Sequence, residues 1–234
     1  MKFYRRISQP KLLSFDLDDT LYDNVPIIQN AENKLSQYLS SEYACFKDKT
    51  QHDWLLERIT FAKLNPALRS DVSKLRLAFL EQAFRDNKIA NPVESAHQAF
   101  LKFYHWRNNF KVKPEVVDIL MRLKKNYTLV AVTNGNAEPD LIGLEGCFTK
   151  VYQPKDGLRM KPETDMFDIL CEQLSLQSKD ILHIGDSPSS DIYGAQSANC
   201  RTAWYNPKFQ SYPLHGLPDM EFNQLSDLLY FVYY

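Results

Sequence analysis

The 234-residue sequence has only four cysteines, Cys45, Cys147, Cys171 and Cys200, and no two lie close together. Scattered thiols argue against a thiolate metal site or a disulfide framework and fit a reducing cytoplasm. The chain also lacks net charge: 28 basic residues against 29 acidic ones leave a formal -1 at pH 7. That balance offers no electrostatic footprint for a nucleic-acid or membrane-surface partner. No apolar run approaches the length of a bilayer, and Met1-Lys-Phe-Tyr-Arg-Arg6 leads into no apolar signal core. A soluble, untargeted, cytoplasmic protein is expected. No internal repeat or low-complexity tract stands out. The 44% hydrophobic content suffices for one substantial core and a smaller lobe.

Against this background, Leu12-Leu-Ser-Phe-Asp-Leu-Asp-Asp-Thr-Leu21 is the most informative stretch. An apolar run of strand length ends in alternating carboxylates. In a parallel sheet, chemistry collects outside the carboxyl ends of the strands, which places Asp16 and Asp18 at the sheet mouth. Read alone, the segment also describes a strand followed by an Asp-rich turn. Further strands are predicted over 127–132 and 181–184, with weaker ones over 150–153 and 201–204. Helical patterns begin after Pro114 and run through Met166 to Leu174, and Ala195 lies in another. Helices alternating with short apolar strands predict an α/β fold, a doubly wound, Rossmann-like parallel sheet of about five or six strands.

From Tyr22 to Asn109 no convincing strand appears. Helices are predicted over 27–43, 54–64, 70–87 and 92–109, broken at Asn65-Pro66 and Asn91-Pro92. The segment reads as a helical domain inserted after the first strand, with the core spanning 1–21 and 110–234 and the insertion 22–109. Most of its aromatics are expected to pack its own interior.

The later strand ends also carry polar groups. Thr133-Asn134-Gly135 offers a hydroxyl, an amide and an open backbone able to donate to an anion, although Asn-Gly is also a common turn. Lys161-Pro162 precedes a helix, where a lone lysine is commonly solvated. Gly185-Asp186 through Asp191 brings two more carboxylates to a strand end. Four carboxylates at one edge repel by about 4 kcal/mol per pair at about 4 Å, for an effective dielectric near 20, so they require a cation. Oxygen-only donors without a histidine or cysteine cluster point to a hard divalent ion, Mg²⁺ above all.

In order, Asp16-Leu-Asp18-Asp-Thr20, Thr133-Asn134, Lys161-Pro162 and Gly185-Asp186 through Asp191 resemble the four signature motifs of the haloacid dehalogenase (HAD) superfamily of phosphohydrolases. The resemblance implies that Asp16 is a nucleophile forming an aspartyl-phosphate, while Asp18 is the acid and base for the leaving alcohol and for water. It gives Thr133, Asn134 and Gly135 to the transferring phosphoryl group, and Lys161 to charge neutralisation on that group and on Asp16. Mg²⁺ would be held by Asp16, the main-chain carbonyl of Asp18, and Asp186, with Asp191 in support. An acid at the Asp18 position is a phosphatase trait that dehalogenases of the superfamily lack. The insertion matches the helical C1-type cap, with specificity expected from it and from Leu21-Tyr-Asp-Asn24.

A narrower similarity, diffuse in the cap, is to the bacterial flavin-pathway phosphatases, which act on 5-amino-6-(5-phospho-D-ribitylamino)uracil and on FMN. It rests on Phe15 to Asn24, Trp106-Arg107, Val132 to Ala137 with Pro139, Leu141, Gly143 and Leu144, and Ile181 to Asp186. It makes Tyr22, Asn24, Tyr104, Trp106 and Arg107 candidate contacts to a ring or ribityl chain, with packing as the alternative. A phosphatase for a sugar phosphate or nucleotide, a phosphomutase and a non-enzymatic phosphate-binding protein remain open. The expected partner is a small phosphorylated metabolite, with the protein a monomer or weak homodimer. His183 is expected to be a packed or hydrogen-bonded strand residue, Arg159 a phosphate contact or a solvated charge. The apolar tail 228–234 is expected to pack on the core or join two copies.

Overall fold

The computed structural model describes residues 1–155, 157–211 and 216–233. Among these, one sheet contains β1 (Lys2–Phe3), β2 (Leu12–Phe15), β3 (Thr128–Val132), β4 (Lys150–Tyr152), β5 (Ile181–Gly185), β6 (Arg201–Tyr205) and β7 (Met220–Phe222). Their spatial order is β1-β7-β6-β5-β2-β3-β4, and every neighbouring pair is parallel except β1 with β7. The α-helices are α1 (Asn24–Glu42), α2 (Gln51–Leu64), α3 (Val72–Asp86), α4 (Pro92–Arg107), α5 (Pro114–Leu123), α6 (Asp165–Leu174), α7 (Tyr193–Ser197) and α8 (Tyr230–Tyr233). No helix among the described residues is long and apolar enough to cross a membrane.

The central strands are buried along their length, as expected for parallel strands covered on both faces. Leu12, Leu13, Phe15, Leu129, Val130, Ile181 and Leu182 supply much of that core. Two differences from the sequence pattern have simple causes. The sheet has seven strands because two short strands at one flank carry no readable pattern: β1 is two exposed residues, and β7 is three residues without an extended apolar run. β2 ends at Phe15, short of Leu17, because the chain turns over after Asp16, where the Leu21 N–H donates to the Leu17 carbonyl at 2.9 Å. The helical insertion therefore follows the second strand in chain order.

Register aligns the strand ends. Phe15 pairs with Ala131 on one side and Ile184 on the other, so Asp16 stands level with Val132 and Gly185, and Thr133 and Asp186 come next. β2 is also where successive connections change side: β3 and β4 lie to one flank, β5 and β6 to the other. Ligands of open α/β sheets bind at such a switch point.

Contacts divide the chain into two units, Met1–Asp23 with Lys111–Tyr234, and Asn24–Phe110. The second unit is α-helical and has its own core, including Leu35, Leu39, Phe46, Phe79, Phe84 and Phe103. Two of its helices, α2 and α3, start on side-chain caps. Thr50 and Asp53 form a reciprocal capping box on α2, and the Asp71 carboxylate accepts two main-chain N–H groups of α3. Inside it, Arg76 donates twice to Glu32, at 3.0 and 2.6 Å, with its guanidinium 3.5 Å from the Phe103 ring centroid. Arg58 reaches the same carboxylate at 2.8 Å.

In the first unit the apolar tail packs inward. Leu228 and Phe231 are buried, and the Tyr127 hydroxyl donates to the Phe231 carbonyl at 3.0 Å. Tyr234, the last residue of that tail, lies outside the described residues.

Candidate active site

Asp16 leaves the end of β2 with its N–H donating to the Ile184 carbonyl at 2.8 Å, which ties the carboxylate to the mouth of β5. Lys161, arriving from the loop before α6, is only 2% exposed. Its ammonium donates to Asp16 Oδ1 at 2.8 Å and to the Val132 carbonyl, and it lies 2.7 Å from Asp191 Oδ1 in an ion pair. The lysine is thus a buried bridge between carboxylates and not a solvated charge. Its loop is held by Asn134, whose amide nitrogen donates to the Lys161 carbonyl and whose amide oxygen accepts the Lys161 N–H, both at 2.8 Å.

Asp191 reaches the cluster through a short helical turn, Pro188–Ile192. The Ser187 hydroxyl accepts the Ser190 N–H at the start of that turn, and the Ser187 N–H donates to Asp191 Oδ2 at 2.9 Å. The carboxylate fits beneath the strand end because residue 185 is glycine: a Cβ there would stand 2.4 Å from Asp191 Cγ. Asp186 is fixed from two sides. The Thr20 hydroxyl donates to its Oδ1 at 3.2 Å, and the Trp204 indole N–H donates to its carbonyl at 2.8 Å.

Carboxylate oxygens of Asp16, Asp186 and Asp191 lie within 4.8 Å of one another. Asp18 is outside that group: its Oδ1 accepts the Tyr22 hydroxyl at 2.6 Å, and its Oδ2 occupies space that a side chain at Gly135 would take, 2.3 Å from where a Cβ would lie. Any share Asp18 has in metal binding must therefore come from its main chain. Thr133 is buried, and its hydroxyl accepts the Gly135 N–H at 3.2 Å, which shapes the turn after β3.

The electrostatics show an excess of negative charge. Burial pushes the Asp16 carboxyl well above the ordinary range; Lys161 pulls it down, but Asp191 and Asp18 add to the rise. Burial, with Asp191 and Asp19 nearby, pushes Asp186 up to about 7. Burial also opposes the charged form of Asp191, yet the Lys161 ammonium and His183 outweigh it and hold that carboxyl low. Burial pulls Lys161 down, and Asp16 and Asp191 more than reverse the effect. Asp191 and Lys161 thus favour their charged forms, while burial and neighbouring carboxylates disfavour ionisation of Asp16 and Asp186. Three convergent carboxylates, all-oxygen and short of compensating positive charge, fit a hard divalent ion such as Mg²⁺.

The remaining candidates separate clearly. His183 is fully buried between Phe167, ring centroids 5.0 Å apart, and Ser14, whose Oγ is 2.8 Å from its Nδ1. Burial, with Lys161 close by, lowers it to about 4, so it stays neutral. Arg159 is a surface residue in ion pairs with Asp165 at 2.7 Å and Glu163 at 2.8 Å. Asn24, Tyr104, Trp106 and Arg107 belong to the helical unit. Tyr104 stacks on Phe100, Trp106 packs against Tyr38, and Arg107 is 1% exposed. Sequence reasoning missed the supporting roles of Thr20, Trp204 and Tyr22. Thr20 and Tyr22 sit close enough to Asp16 and Asp18 in the chain to have been considered, whereas nothing in the β6 sequence points Trp204 at Asp186.

The geometry has counterparts in known proteins. A family model for haloacid dehalogenase-like hydrolases matches residues 10–199. The Escherichia coli 5-amino-6-(5-phospho-D-ribitylamino)uracil phosphatase YigB is 33% identical over 97% of this chain and 98% of its own length. A crystal structure of a 2-haloacid dehalogenase from Pseudomonas syringae pv. tomato DC3000 superposes with a TM-score of 0.88 at 32% identity, covering 96% of this chain and 98% of that one. The Bacillus subtilis HAD-hydrolase YfnB, in a crystal form bound to magnesium, shares the fold with a TM-score of 0.69 at 19% identity, covering 97% of this chain and 100% of that one.

Proposed function

The chain belongs to the haloacid dehalogenase-like hydrolases, and from that premise we propose that it is a Mg²⁺-dependent phosphomonoester hydrolase working through an aspartyl-phosphate on Asp16. The observation that carries this reading is the pairing of two acids at one sheet edge. Asp16 is buried against Lys161 at 2.8 Å, and Asp18 is held apart by Tyr22. A nucleophile and a separate proton carrier are what hydrolysis of an unactivated phosphate ester needs. A dehalogenase has no leaving alcohol to protonate, so Asp18 favours the phosphatase over the activity in the name of the Pseudomonas protein.

In the proposed reaction an Asp16 oxygen attacks phosphorus as the ester P–O bond breaks, and the leaving oxygen takes a proton from Asp18. Water then attacks the aspartyl-phosphate, giving its proton to Asp18 and releasing Asp16 and phosphate. Lys161 neutralises Asp16 and the phosphoryl oxygens, while Thr133, Gly135 and the Asn134 main chain line the phosphoryl position. Asn134's side chain keeps the Lys161 loop in place. Mg²⁺ would be held by Asp16, the Asp18 carbonyl and Asp186, with Asp191 in support, and would supply positive charge to the phosphoryl oxygens. Residues 24–110 would serve as a C1-type cap that contributes to the choice of substrate.

For the substrate, we favour 5-amino-6-(5-phospho-D-ribitylamino)uracil, FMN, or both. The near full-length similarity to YigB supports this choice, as does the resemblance of the motifs in this sequence to those of flavin-pathway phosphatases. Cysteines that are all free support a cytoplasmic setting. The test is phosphate release from those two compounds, sugar phosphates and nucleotides, with Mg²⁺ or EDTA, using Asp16→Asn as control. Metal-dependent release that favours the flavin-type compounds and disappears in Asp16→Asn is expected. Preference for another ester rejects the substrate and retains the mechanism. Transfer of phosphate between sugar positions without release would make the enzyme a mutase.

A further inference from the structure

Tyr22 lies in the same compact turn as the carboxylate it touches. Asp19 adopts a left-handed backbone, φ 60°, and turns the chain over so that residues 18 and 22 face each other in a β-bridge. The Leu21 to Leu17 hydrogen bond closes the turn behind them. The Tyr22 hydroxyl then donates to Asp18 Oδ1 at 2.6 Å, a short contact typical of a hydroxyl on a carboxylate. The other oxygen, Oδ2, lies 2.3 Å from where a Cβ at residue 135 would stand, a space that only glycine leaves open. Asp18 therefore has Oδ1 bound by Tyr22 and Oδ2 against the loop proposed to line the phosphoryl group.

On the phosphatase reading above, we infer that Tyr22 is a positioning residue for the general acid: its hydroxyl fixes the Asp18 carboxyl so that Oδ2 meets the leaving oxygen. As the ester P–O bond breaks, the proton on Oδ2 passes to that oxygen and Asp18 becomes a carboxylate. A hydrogen bond to a carboxylate is stronger than one to a neutral acid, so the Tyr22 bond strengthens as the proton leaves. Tyr22 thereby stabilises the transition state more than the bound substrate. The phenol also keeps the anion oriented for the second step, when Asp18 takes a proton from water.

This role has a signature that simple structural support lacks. An alkoxide leaving group needs the proton, whereas nitrophenolate departs readily without it. We expect Tyr22→Phe to lower kcat/KM, which reads phosphoryl transfer to Asp16 and not the hydrolysis both substrates share, roughly 10- to 100-fold on the best alkyl phosphate of the panel, the loss of one hydrogen bond to a charged group. On 4-nitrophenyl phosphate the loss should stay within about threefold, because proton transfer no longer limits the step. In an Asp18→Asn background the same substitution should change neither rate further. Equal losses on the two substrates, whatever their size, overturn the inference, as does an unchanged rate on both or a further loss in the Asp18→Asn background. If the unsubstituted protein releases phosphate from neither substrate, the phosphatase reading falls and takes this inference with it.

Discussion

Asp186 provides a direct measure of how strongly the acidic cluster calls for a cation. In the metal-free protein its carboxyl is pushed up to about 7 from an ordinary 3.8 by burial, with Asp191 and Asp19 adding repulsion. An acid raised in the folded state keeps a proton that the unfolded chain has already lost. Stability therefore falls as pH rises from about 4 and levels off above about 7. At 1.36 kcal/mol per tenfold change in acidity, the full loss is about 4 kcal/mol. Asp186→Asn removes this liability and keeps an oxygen to accept the Thr20 hydroxyl. In EDTA at pH 8 the variant should be more stable than the parent by a few kcal/mol, an advantage that disappears near pH 4. Adding Mg²⁺ should stabilise the parent strongly and the variant little, because a bound ion contributes by mass action only where its ligands are intact. Urea unfolding from pH 4 to 8, with EDTA or Mg²⁺, reads all of these effects. A variant no more stable than the parent at pH 8 in EDTA, with the same pH slope, would refute the claim that Asp186 is strained by its neighbours.

Lys161→Met should destabilise the metal-free protein by about 3 to 5 kcal/mol at pH 8, since it leaves Asp16 and Asp191 buried without their shared cation; urea midpoints measure this, and the deficit should shrink at lower pH as the carboxyls protonate. Gly185→Ala places a methyl 2.4 Å from Asp191 Cγ, so about 1 to 3 kcal/mol of stability and about tenfold or more in Mg²⁺ affinity should be lost, read by denaturation and metal titration. Within the helical unit, Arg76→Met should cost about 3 kcal/mol by leaving Glu32 largely buried with Arg58 alone, and Glu32→Met in the same chain should recover most of it in urea unfolding. Brief incubation with ³²P-labelled substrate followed by acid quench should trap label on the protein, and Asp16→Asn should trap none.

The parts of the molecule that could be read from sequence share one property: their meaning is local. Leu12 to Phe15, Thr128 to Val132 and Ile181 to Gly185 are short apolar runs bounded by polar residues, and each is a buried strand. Asp16 and Asp186 follow such runs directly, so their place at the sheet edge comes with the strand. What residue pattern alone could not give depends on approach in space, and the family resemblance supplied Lys161 and Asp191 but not Trp204. Lys161 looks like a solvated cation until the loop folds it onto two carboxylates. Asp191 is five residues beyond Asp186 and reaches the cluster only through a turn permitted by Gly185. Trp204 is one more apolar residue of a strand until β6 lies beside β5 and directs its indole at Asp186. β1 and β7 are too short to carry a pattern.

The pairing of β2 also has a consequence for biosynthesis. Leu12 is made well before its partners Thr128 and Ile181, which lie more than a hundred residues later. At about 5 to 20 residues per second, the strand bearing the nucleophile waits roughly 5 to 20 s for its first neighbour and longer for its second. Throughout that wait its apolar residues have no sheet to enter, while residues 24–110 already contain their own core. On the ribosome the helical unit can fold first. Nascent β2 is then an apolar segment without its sheet neighbours, and β5 is the last strand whose emergence can complete the acidic cluster.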